Sequence, residues 1–298
     1  MQYRLKSITK KNIDEAIQFI ILREAYSINL AEKLRELRDF FLGKSSKHFV
    51  RKCLLFYAVF PKPQKVCGVL LLTANGILLH NIDESISDSL IEQAAGYFLE
   101  FSIHSIMGIA DRTILFETLL KRYFAKSPSR IENYTLMLLT AFEKIQQNFF
   151  AGIQFSGVHF SRSTLDDAEK LLPLQIDYEN TEVLSNTATV KTPVCLKQLK
   201  AKLQSEIIFH ASINETPIAK AGTNAQGFNW NQIGGVYTLP AYRTRGLATA
   251  LTAHLVRDRM QAGKNLALFV KVKNTAAITA YKKIGFTDSL PFRIAYFL

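Results

Sequence analysis

The sequence predicts an α/β protein made of two halves that share one structural plan. A strand followed by a helix in "YRLKSITKKNIDEAIQFI" returns in "GVHFSRSTLDDAEKLLPL", where "LDDA" begins 152 residues after "IDEA". A predicted hairpin over 54–73 returns in the same way over 207–225, each with proline in or beside its turn. Two matches at nearly one offset indicate a duplication, and they predict one domain over residues 1–150 and a second over 151–298.

Strands and helices alternate along the second half. The predicted order is strand (155–160), helices (164–184 and 193–204), hairpin (206–222), strand (231–239), helix (244–262), strand (265–272), helix (275–283) and strand (288–297). A strand, a crossover helix and a second strand are normally parallel and right-handed, and open α/β sheets bind ligands beyond the carboxyl ends of such strands. The second half therefore predicts a mixed sheet flanked by helices, with a ligand site at the start of the helix over 244–262.

Two helix ends carry recognisable signals. Asn12 precedes the first helix and Glu15 follows three residues later, which predicts a reciprocal capping box. Gly263 follows the helix over 244–262 and predicts its C-terminal cap.

The composition is that of an ordinary globular chain. With 298 residues, of which 48% are hydrophobic and 21% charged, the chain is long enough for two cores. The three cysteines form no CxxC pair, so we predict neither a disulfide framework nor a metal site. No apolar run approaches the roughly 20 residues of a membrane span, and no signal-peptide core is present. We therefore expect a cytoplasmic protein with no membrane partner.

The net charge of +12 raises the alternative of a nucleic-acid binder. The basic residues are spread over both halves, with no basic tail, no zinc-finger spacing and no RNP-like aromatic motif. We keep nucleic-acid binding as a minor alternative and expect the charge to attract a smaller anion.

The segment "YRTRGLATA" (242–250) has the composition of an anion site. The first turn of a helix offers backbone N–H groups without intrahelical partners, and the helix dipole favours negative charge there. Gly246 leaves the main chain open and Ala248 adds only a methyl group, while Arg243 and Arg245 supply charge-assisted donors. Solvated arginines beside a loosened helix start are the alternative for this segment taken alone.

Two neighbouring segments favour a long ligand. Gly234 and Gly235 lie within a predicted strand, where glycine marks a bulge or a close approach to the backbone. Asn274 and Tyr281 lie seven residues apart, within about 20° of one helix face, with the small Ala277 between them. A long ligand with its phosphates at the helix start accounts for both segments, whereas Tyr281 alone also fits a core position.

Together these segments resemble the coenzyme-A signature of the GNAT superfamily of N-acetyltransferases. "RTRGLA" resembles the [QR]xxGx[GA] cradle, and "NTAAITAYKKIGF" resembles the Asn, Ala, Tyr and Gly-Phe that follow it. The specific resemblance covers about residues 231–286 and extends loosely over the second half from residue 155. The duplicated plan is similar to GNAT proteins with a diverged N-terminal domain, so the resemblance implies tandem GNAT-like domains, each a mixed, splayed central sheet flanked by helices.

The resemblance also implies a co-substrate, acetyl-CoA, and roles for particular residues. Backbone from Thr244 to Thr249 would hold the pyrophosphate, main-chain groups of Val236 and Thr238 would pair with the pantetheine arm, and Asn274 would fix that arm or the neighbouring strand. Tyr281 would act as general acid on the thiolate, and the N–H of Val236 or a neighbour would stabilise the oxyanion. The implied coenzyme-binding residues are Val236, Tyr237, Thr238, Arg243, Thr244, Arg245, Gly246, Leu247, Ala248, Thr249, Asn274 and Tyr281.

The implied reaction is direct attack by a primary amine of a small molecule, amino acid or peptide on the thioester. Many members place a carboxylate on the strand before the cradle to take the proton, but "NQIGGVYTL" carries none. The candidate bases are therefore Glu182, Glu179 and Asp177 in "IDYENTEV", or His210 on a neighbouring strand. We favour Glu182 as the catalytic base, with proton transfer to water as the alternative.

The first half differs where the cradle should lie. It carries Asp83, Glu84 and Asp88 there, and carboxylates at a helix start repel a diphosphate. We expect the first domain to bind no CoA and to close the acceptor side. The missing base and the diverged first half leave a non-catalytic acyl-CoA-binding or sensing module as the alternative function. The acceptor, the acyl-chain preference and the oligomeric state, including a homodimer, stay open.

Overall fold

The computed structural model describes residues 3–58, 65–98, 101–140, 155–183 and 190–297. The strands of the first half are β1 (Tyr3–Ser7), β2 (Val50–Ala58), β3 (Lys65–Thr73), β4 (Ile77–Ile82), β5 (Ser105–Ile109) and β6 (Arg130–Leu139). Its helices are α1 (Ile13–Ile21), α2 (Ile28–Phe41), α3 (Asp88–Gly96) and α4 (Ala110–Phe124).

The second half repeats this order element by element, which confirms the predicted duplication of the plan. Its strands are β7 (His159–Arg162), β8 (Ile208–Ile213), β9 (Thr216–Gln226), β10 (Trp230–Thr238), β11 (Asn265–Lys271) and β12 (Thr287–Tyr296). Its helices are α5 (Ala168–Tyr178), α6 (Thr192–Ser205), α7 (Leu247–Gln261) and α8 (Thr275–Ile284). The predicted boundary between residues 150 and 151 lies outside the described residues.

The twelve strands of the described chain form one continuous sheet, in the order β1-β2-β3-β4-β5-β12-β6-β11-β10-β9-β8-β7. The last strand of each half lies beyond its own half: β6 pairs with β11, and β12 pairs with β5. Between them β6 and β12 pair with each other, antiparallel. We call this arrangement the strand exchange, and it joins the two predicted sheets into one.

Helices cover both faces of the sheet. In the second half, α7 and α8 pack on one face and α5 and α6 on the other. Between the halves, Ile28 of α2 packs with Leu136, Ala267 and Phe292 of the central strands. The buried Glu24 carboxylate, just before α2, accepts hydrogen bonds from N–H groups of the turn between β9 and β10. The first half is therefore anchored on the strands that precede the predicted cradle.

Each half contains one parallel strand pair that separates toward its carboxyl end. The pairing of β10 with β11 ends at Ile233 opposite Leu268, and the pairing of β4 with β5 ends at Leu79 opposite Met107. In β10 the register against β9 shifts between Gly234 and Tyr237. The predicted bulge is confirmed, and it lies where β10 leaves β11.

Local signals were confirmed in part. Gly263 has φ +73°, as its capping role requires. The capping box predicted at Asn12 is wrong, because the Asn12 side chain instead accepts a hydrogen bond from the Thr9 N–H (2.6 Å). The equivalent position in the second half, Thr164, forms a capping box with Asp167. Within the residues described, no helix has the length and apolar character needed to cross a membrane.

Candidate active site

A cavity of about 380 Å³ lies where β10 and β11 separate. Consecutive residues of a strand point to opposite faces of the sheet. Leu268 and Val270 pack on the side of α7 and α8, whereas Phe269 packs on the opposite side with Leu136. All three residues of β11 line the cavity, which therefore passes through the gap in the sheet from one face to the other.

Several predicted site residues meet in this cavity. Val236 contributes from β10, Asn274 and Tyr281 from α8 and its N-terminal cap, and Glu182 from the helical turn after α5. The rest of the predicted coenzyme-binding set, Tyr237, Thr238 and residues 243–249, lies outside the cavity wall, at the carboxyl end of β10 and the start of α7. The predicted residues thus fall into two groups, one around the cavity and one at the adjoining turn before α7.

Asn274 fixes the start of α8. Its side-chain oxygen accepts a hydrogen bond from the Ala277 N–H (3.0 Å), so it acts as the N-terminal cap of the helix that carries Tyr281. Ala277 also lines the cavity, and its small side chain keeps the space between Asn274 and Tyr281 open.

Tyr281 is held in a protonated state by its surroundings. Burial raises the pKa of Tyr281 to about 12, and the nearby Tyr178 phenol adds to the effect. Its ring packs edge-on against Phe286, with 6.1 Å between ring centroids. The hydroxyl at this position is therefore neutral at physiological pH and is able to donate a proton.

The turn before α7 leaves a series of backbone N–H groups open. Thr244 (φ +63°) and Gly246 (φ +80°) both adopt the left-handed conformation, so the helix begins at Leu247 and not at Thr244 as predicted. The first N–H bonded back is that of Ala250, to the Gly246 carbonyl (3.0 Å). The amides of residues 247–249 form the first turn, the part of a helix that binds anions.

The two arginines of the turn differ in their contacts. Arg243 Nε donates to the Thr238 carbonyl (3.0 Å), and its guanidinium lies 5.4 Å from the centre of the Tyr237 ring. Arg245 is exposed beside the Tyr242 ring. Arg243 therefore ties the turn to the end of β10, whereas Arg245 is the more available cation.

A side chain at either glycine of β10 would require a local rearrangement. A Cβ at Gly234 would overlap the carboxamide of Asn224, and Gly235 has φ +59°. The predicted close approach and the predicted bulge are both present at this point of the strand. Both glycines line the cavity, so the main chain of the bulge is open to a bound molecule.

The side of the cavity opposite α8 is built by both halves of the chain. Asn29 of α2, Met107 of β5 and Tyr134 of β6 come from the first half. Asn29 Nδ2 donates to Oε1 of the buried Gln232 (2.6 Å), which joins the halves at the cavity wall. None of these first-half residues carries a local sequence signal, and only the fold brings them to the site.

Of the four candidate bases, Glu182 alone lines the cavity. Asp177 accepts a hydrogen bond from the Tyr237 hydroxyl (2.7 Å), and Glu179 accepts one from the Gln175 side chain (2.8 Å). Both ring nitrogens of His210 are bonded to serine hydroxyls on β7 or just after it. Among the described residues of the cavity wall, Glu182 is also the one carboxylate.

The equivalent gap in the first half is filled by a histidine. A Cβ at Gly108 would overlap the His80 ring, whose Nε2 is bonded to the Thr113 hydroxyl (2.9 Å). Burial, aided by the positive charge of Arg112, lowers the pKa of His80 to about 3. A cavity of about 680 Å³ beside it is lined by Asp83, Glu84 and Asp88 around the equivalent turn, by Asp111 at the start of α4, and by Arg23 and Arg112.

Three features define the fold class of this protein: a parallel strand pair that separates, a bulge in its first strand, and a helix start with open amides. The chain is a GNAT-fold protein with two GNAT-like units in tandem. Residues 224–293 match the family described as FR47-like protein. The matched segment contains the bulge of β10, the turn before α7, and α8.

Solved structures of the same fold extend over the whole chain. A Drosophila protein is 13% identical with a TM-score of 0.68, over 99% of this chain and 98% of its own. A tandem GNAT protein from the clavulanic acid biosynthesis pathway is 10% identical with a TM-score of 0.62, over the same shares. A GNAT-family acetyltransferase from Colwellia psychrerythraea is 14% identical with a TM-score of 0.54, over 99% and 100%. No curated protein matches the chain in sequence.

Proposed function

We propose that this protein transfers an acetyl group from acetyl-CoA to a primary amine of a small molecule, amino acid or peptide. The GNAT fold supports acyl-CoA-dependent acetyl transfer in general. The observation that carries the proposal is the cavity through the sheet, because it brings Tyr281, Val236 and Glu182 to one space. We infer an amine as the acceptor because these residues supply a base and an acid around a cavity that is open to solvent.

The residues around the gap fit the coenzyme. The open amides of 247–249 and the exposed Arg245 suit a pyrophosphate. Beyond Ile233, β10 has no ladder partner on the β11 side, so its main chain can pair with an extended pantetheine arm. The bare backbone of Gly234 and Gly235 leaves room for the thioester at the bulge.

In the proposed reaction, the two reactants reach the cavity from opposite faces of the sheet. The amine enters on the side of α5 and α6, where the Glu182 carboxylate takes its proton. The nitrogen attacks the thioester carbonyl carbon, and an N–H at the bulge beside Val236 stabilises the negative oxygen. As the carbon–nitrogen bond forms and the carbon–sulfur bond breaks, Tyr281 donates its proton to the sulfur. The second proton, which the nitrogen loses as the amide forms, passes through solvent and restores the Tyr281 hydroxyl. Positioning of the two reactants provides much of the rate.

The first half supports the reaction without holding a coenzyme of its own. His80 fills the gap between β4 and β5, and the carboxylates of the equivalent turn repel phosphate. Asn29, Met107 and Tyr134 instead complete the acceptor side of the second half. We therefore propose one coenzyme site per chain, with the acceptor bound between the halves.

The test uses the full chain with acetyl-CoA and a broad panel of amines. The proposal expects release of free CoA thiol and an acetylated product of the expected mass, with the transfer dependent on the amine. A non-catalytic sensing module would instead show a rise in melting temperature with acetyl-CoA but no CoA release with any amine. No rise in melting temperature at saturating acetyl-CoA would exclude both functions.

A further inference from the structure

A buried lysine lies beneath the bulge of β10. Lys220 is in the middle of β9, where the register places it opposite Tyr237 on one side and His210 on the other. Its residue is 7% exposed. A lysine is rarely buried to this extent unless it is paired, so its contacts need an explanation.

The Lys220 ammonium contacts two walls of the reaction cavity. Its Nζ donates to the Gly235 carbonyl (3.2 Å), at the residue with φ +59° that forms the bulge. The same Nζ lies 4.1 Å from the centre of the Tyr178 ring, a cation–π contact. Gly235 and Tyr178 both line the cavity, whereas Lys220 does not. One side chain outside the cavity thus holds a strand and a helix residue that face the reactants.

We propose that Lys220 is a positioning residue for the acyl transfer, because its ammonium fixes the bulge at Gly235 and the ring of Tyr178 together. The inference rests on the proposed function. It adds a positioning residue to the site and predicts that the rate of acyl transfer depends on pH. A displacement of the bulge moves the N–H groups that stabilise the oxyanion, and transition-state stabilisation is sensitive to displacements of about 1 Å.

The protonation state of Lys220 is poised near neutrality. The pKa of Lys220 is lowered to about 7, mainly by burial and to a smaller extent by the positive charge of Lys202. Glu206, Glu179 and the Cys195 thiol act in the opposite direction. Burial likewise raises the pKa of Glu206 to about 7, so this carboxylate gives only part of a negative charge at neutral pH.

The two cross-strand neighbours of Lys220 have partners of their own. His210 is bonded to Ser161 and Ser163, and the Tyr237 hydroxyl donates to Asp177. Because the pKa of Lys220 is about 7, its charged contact with Tyr178 is present below about pH 7 and is lost as the pH rises above that value. The neutral amine can still donate one hydrogen bond to Gly235, but the cation–π contact needs the charge.

The first experiment compares Lys220→Met with the wild type at a series of pH values. Methionine keeps the length and volume of the side chain but has no charge. We expect kcat of the wild type to exceed that of the variant on the order of tenfold at pH 6. The ratio should fall as the pH rises through 7 but stay above one, because the neutral amine still donates to the Gly235 carbonyl and methionine does not. Titration of the amine acceptor affects both proteins equally and cancels in the ratio. An equal kcat at all pH values, or a ratio that does not change with pH, would overturn the proposal.

Lys202→Met is the matched second variant. Lys202 lies on α6 outside the reaction cavity, and removal of its charge raises the pKa of Lys220. In the wild type, turnover should fall as the pH rises through the pKa of Lys220, and Lys220→Met should lack this fall. In Lys202→Met the midpoint of the fall should lie at a higher pH than in the wild type. An unmoved midpoint contradicts a role for the Lys220 charge, and it does so in a variant that leaves the bulge intact.

A readout without turnover separates this inference from the proposed function. Lysine Cε resonances of the full chain are titrated by NMR, with Lys220 assigned through its loss in Lys220→Met. We expect Lys220 to titrate near pH 7, with the Gly235 amide and the Tyr178 ring shifting at the same midpoint. Independent titration of these three groups refutes the positioning role even if acetyl transfer is observed. Common titration without transfer to any amine supports the contact while the proposed function fails.

Discussion

Tyr281 and Glu182 approach one cavity from different elements, and their surroundings suit opposite proton transfers. Burial keeps the Tyr281 hydroxyl protonated, with a pKa raised to about 12, whereas Glu182 is exposed. In the proposed reaction, the protonated phenol would serve the leaving thiolate as an acid and the accessible carboxylate would serve the amine as a base. The sequence proposed both: the resemblance implied Tyr281 as the acid, and Glu182 was favoured as the base from its place in the early helical region. Tyr134 and Asn29 carry no pattern in their own segments, so they could not be predicted.

Replacement of Tyr281 by phenylalanine tests the acid. We expect kcat to fall by about 10- to 100-fold, because general-acid catalysis by one side chain contributes at least this much. The dissociation constant of acetyl-CoA, measured by calorimetry, should change by less than about threefold, since the ring remains in place. Tyr123→Phe on the exposed face of α4 is the matched control and should leave both values unchanged. An unchanged kcat in Tyr281→Phe removes this residue from the proton transfer.

Replacement of Glu182 by glutamine tests the base. We expect kcat/KM for the amine to fall at least tenfold at neutral pH and to recover as the pH approaches the pKa of the amine, because a neutral amine needs no base. Asp177→Asn is the control from the same segment, since its carboxylate is bonded to Tyr237 and lies outside the cavity wall. A loss in Asp177→Asn and none in Glu182→Gln would reverse the assignment.

At the scale of elements, the sequence predicted the type of each segment better than its start. The helix expected from residue 244 begins at Leu247, because Thr244 and Gly246 adopt positive φ values that no helix continues. The same conformation opens the amides that suit a pyrophosphate. Glycine patterns are readable in a sequence, but the left-handed conformation of a threonine is imposed by the turn. The sequence could therefore predict which segment forms the turn before α7, whereas the geometry of that turn could not be predicted.

Substitutions at Gly246 separate backbone strain from ligand binding. Gly246→Ala should lower the free energy of unfolding by about 1–2 kcal/mol, because φ +80° disfavours a Cβ although the space beside it is open. Gly246→Glu should in addition abolish the rise in melting temperature caused by acetyl-CoA, because a carboxylate then stands at the anion site. Gly263 at the other end of α7 has φ +73° and open surroundings. Gly263→Glu should therefore destabilise the chain similarly but keep the response to acetyl-CoA.

At the scale of the whole molecule, the strand exchange decides which residues meet. Because β6 lies between β11 and β12, the first half supplies Tyr134 to the cavity wall. The duplication could be predicted from two local matches at one offset, and the tandem plan followed from it. The strand exchange could not be predicted from the sequence. Strands β6 and β12 occupy the same place in their repeats, so each could pair either with the strand that precedes it in its own half or with the equivalent strand of the other half. Long-range pairing of this kind depends on the packed structure and not on a local pattern.

The strand exchange predicts that the second half does not fold by itself. A fragment of residues 151–298 lacks β6, and with it Met137 and Leu139, which are buried in the core beneath α7. Loss of one large core side chain costs about 2–5 kcal/mol, and a domain is stable by only about 5–15 kcal/mol, so the loss of a whole central strand exceeds what the fragment can tolerate. We expect the fragment alone to show no cooperative thermal unfolding and no response to acetyl-CoA. Coexpression with residues 1–150 should restore both, and a complex of the two fragments should elute at the volume of the intact chain. If the fragment alone unfolds cooperatively and binds acetyl-CoA as tightly as the intact chain, β6 is dispensable and the second half is an autonomous domain.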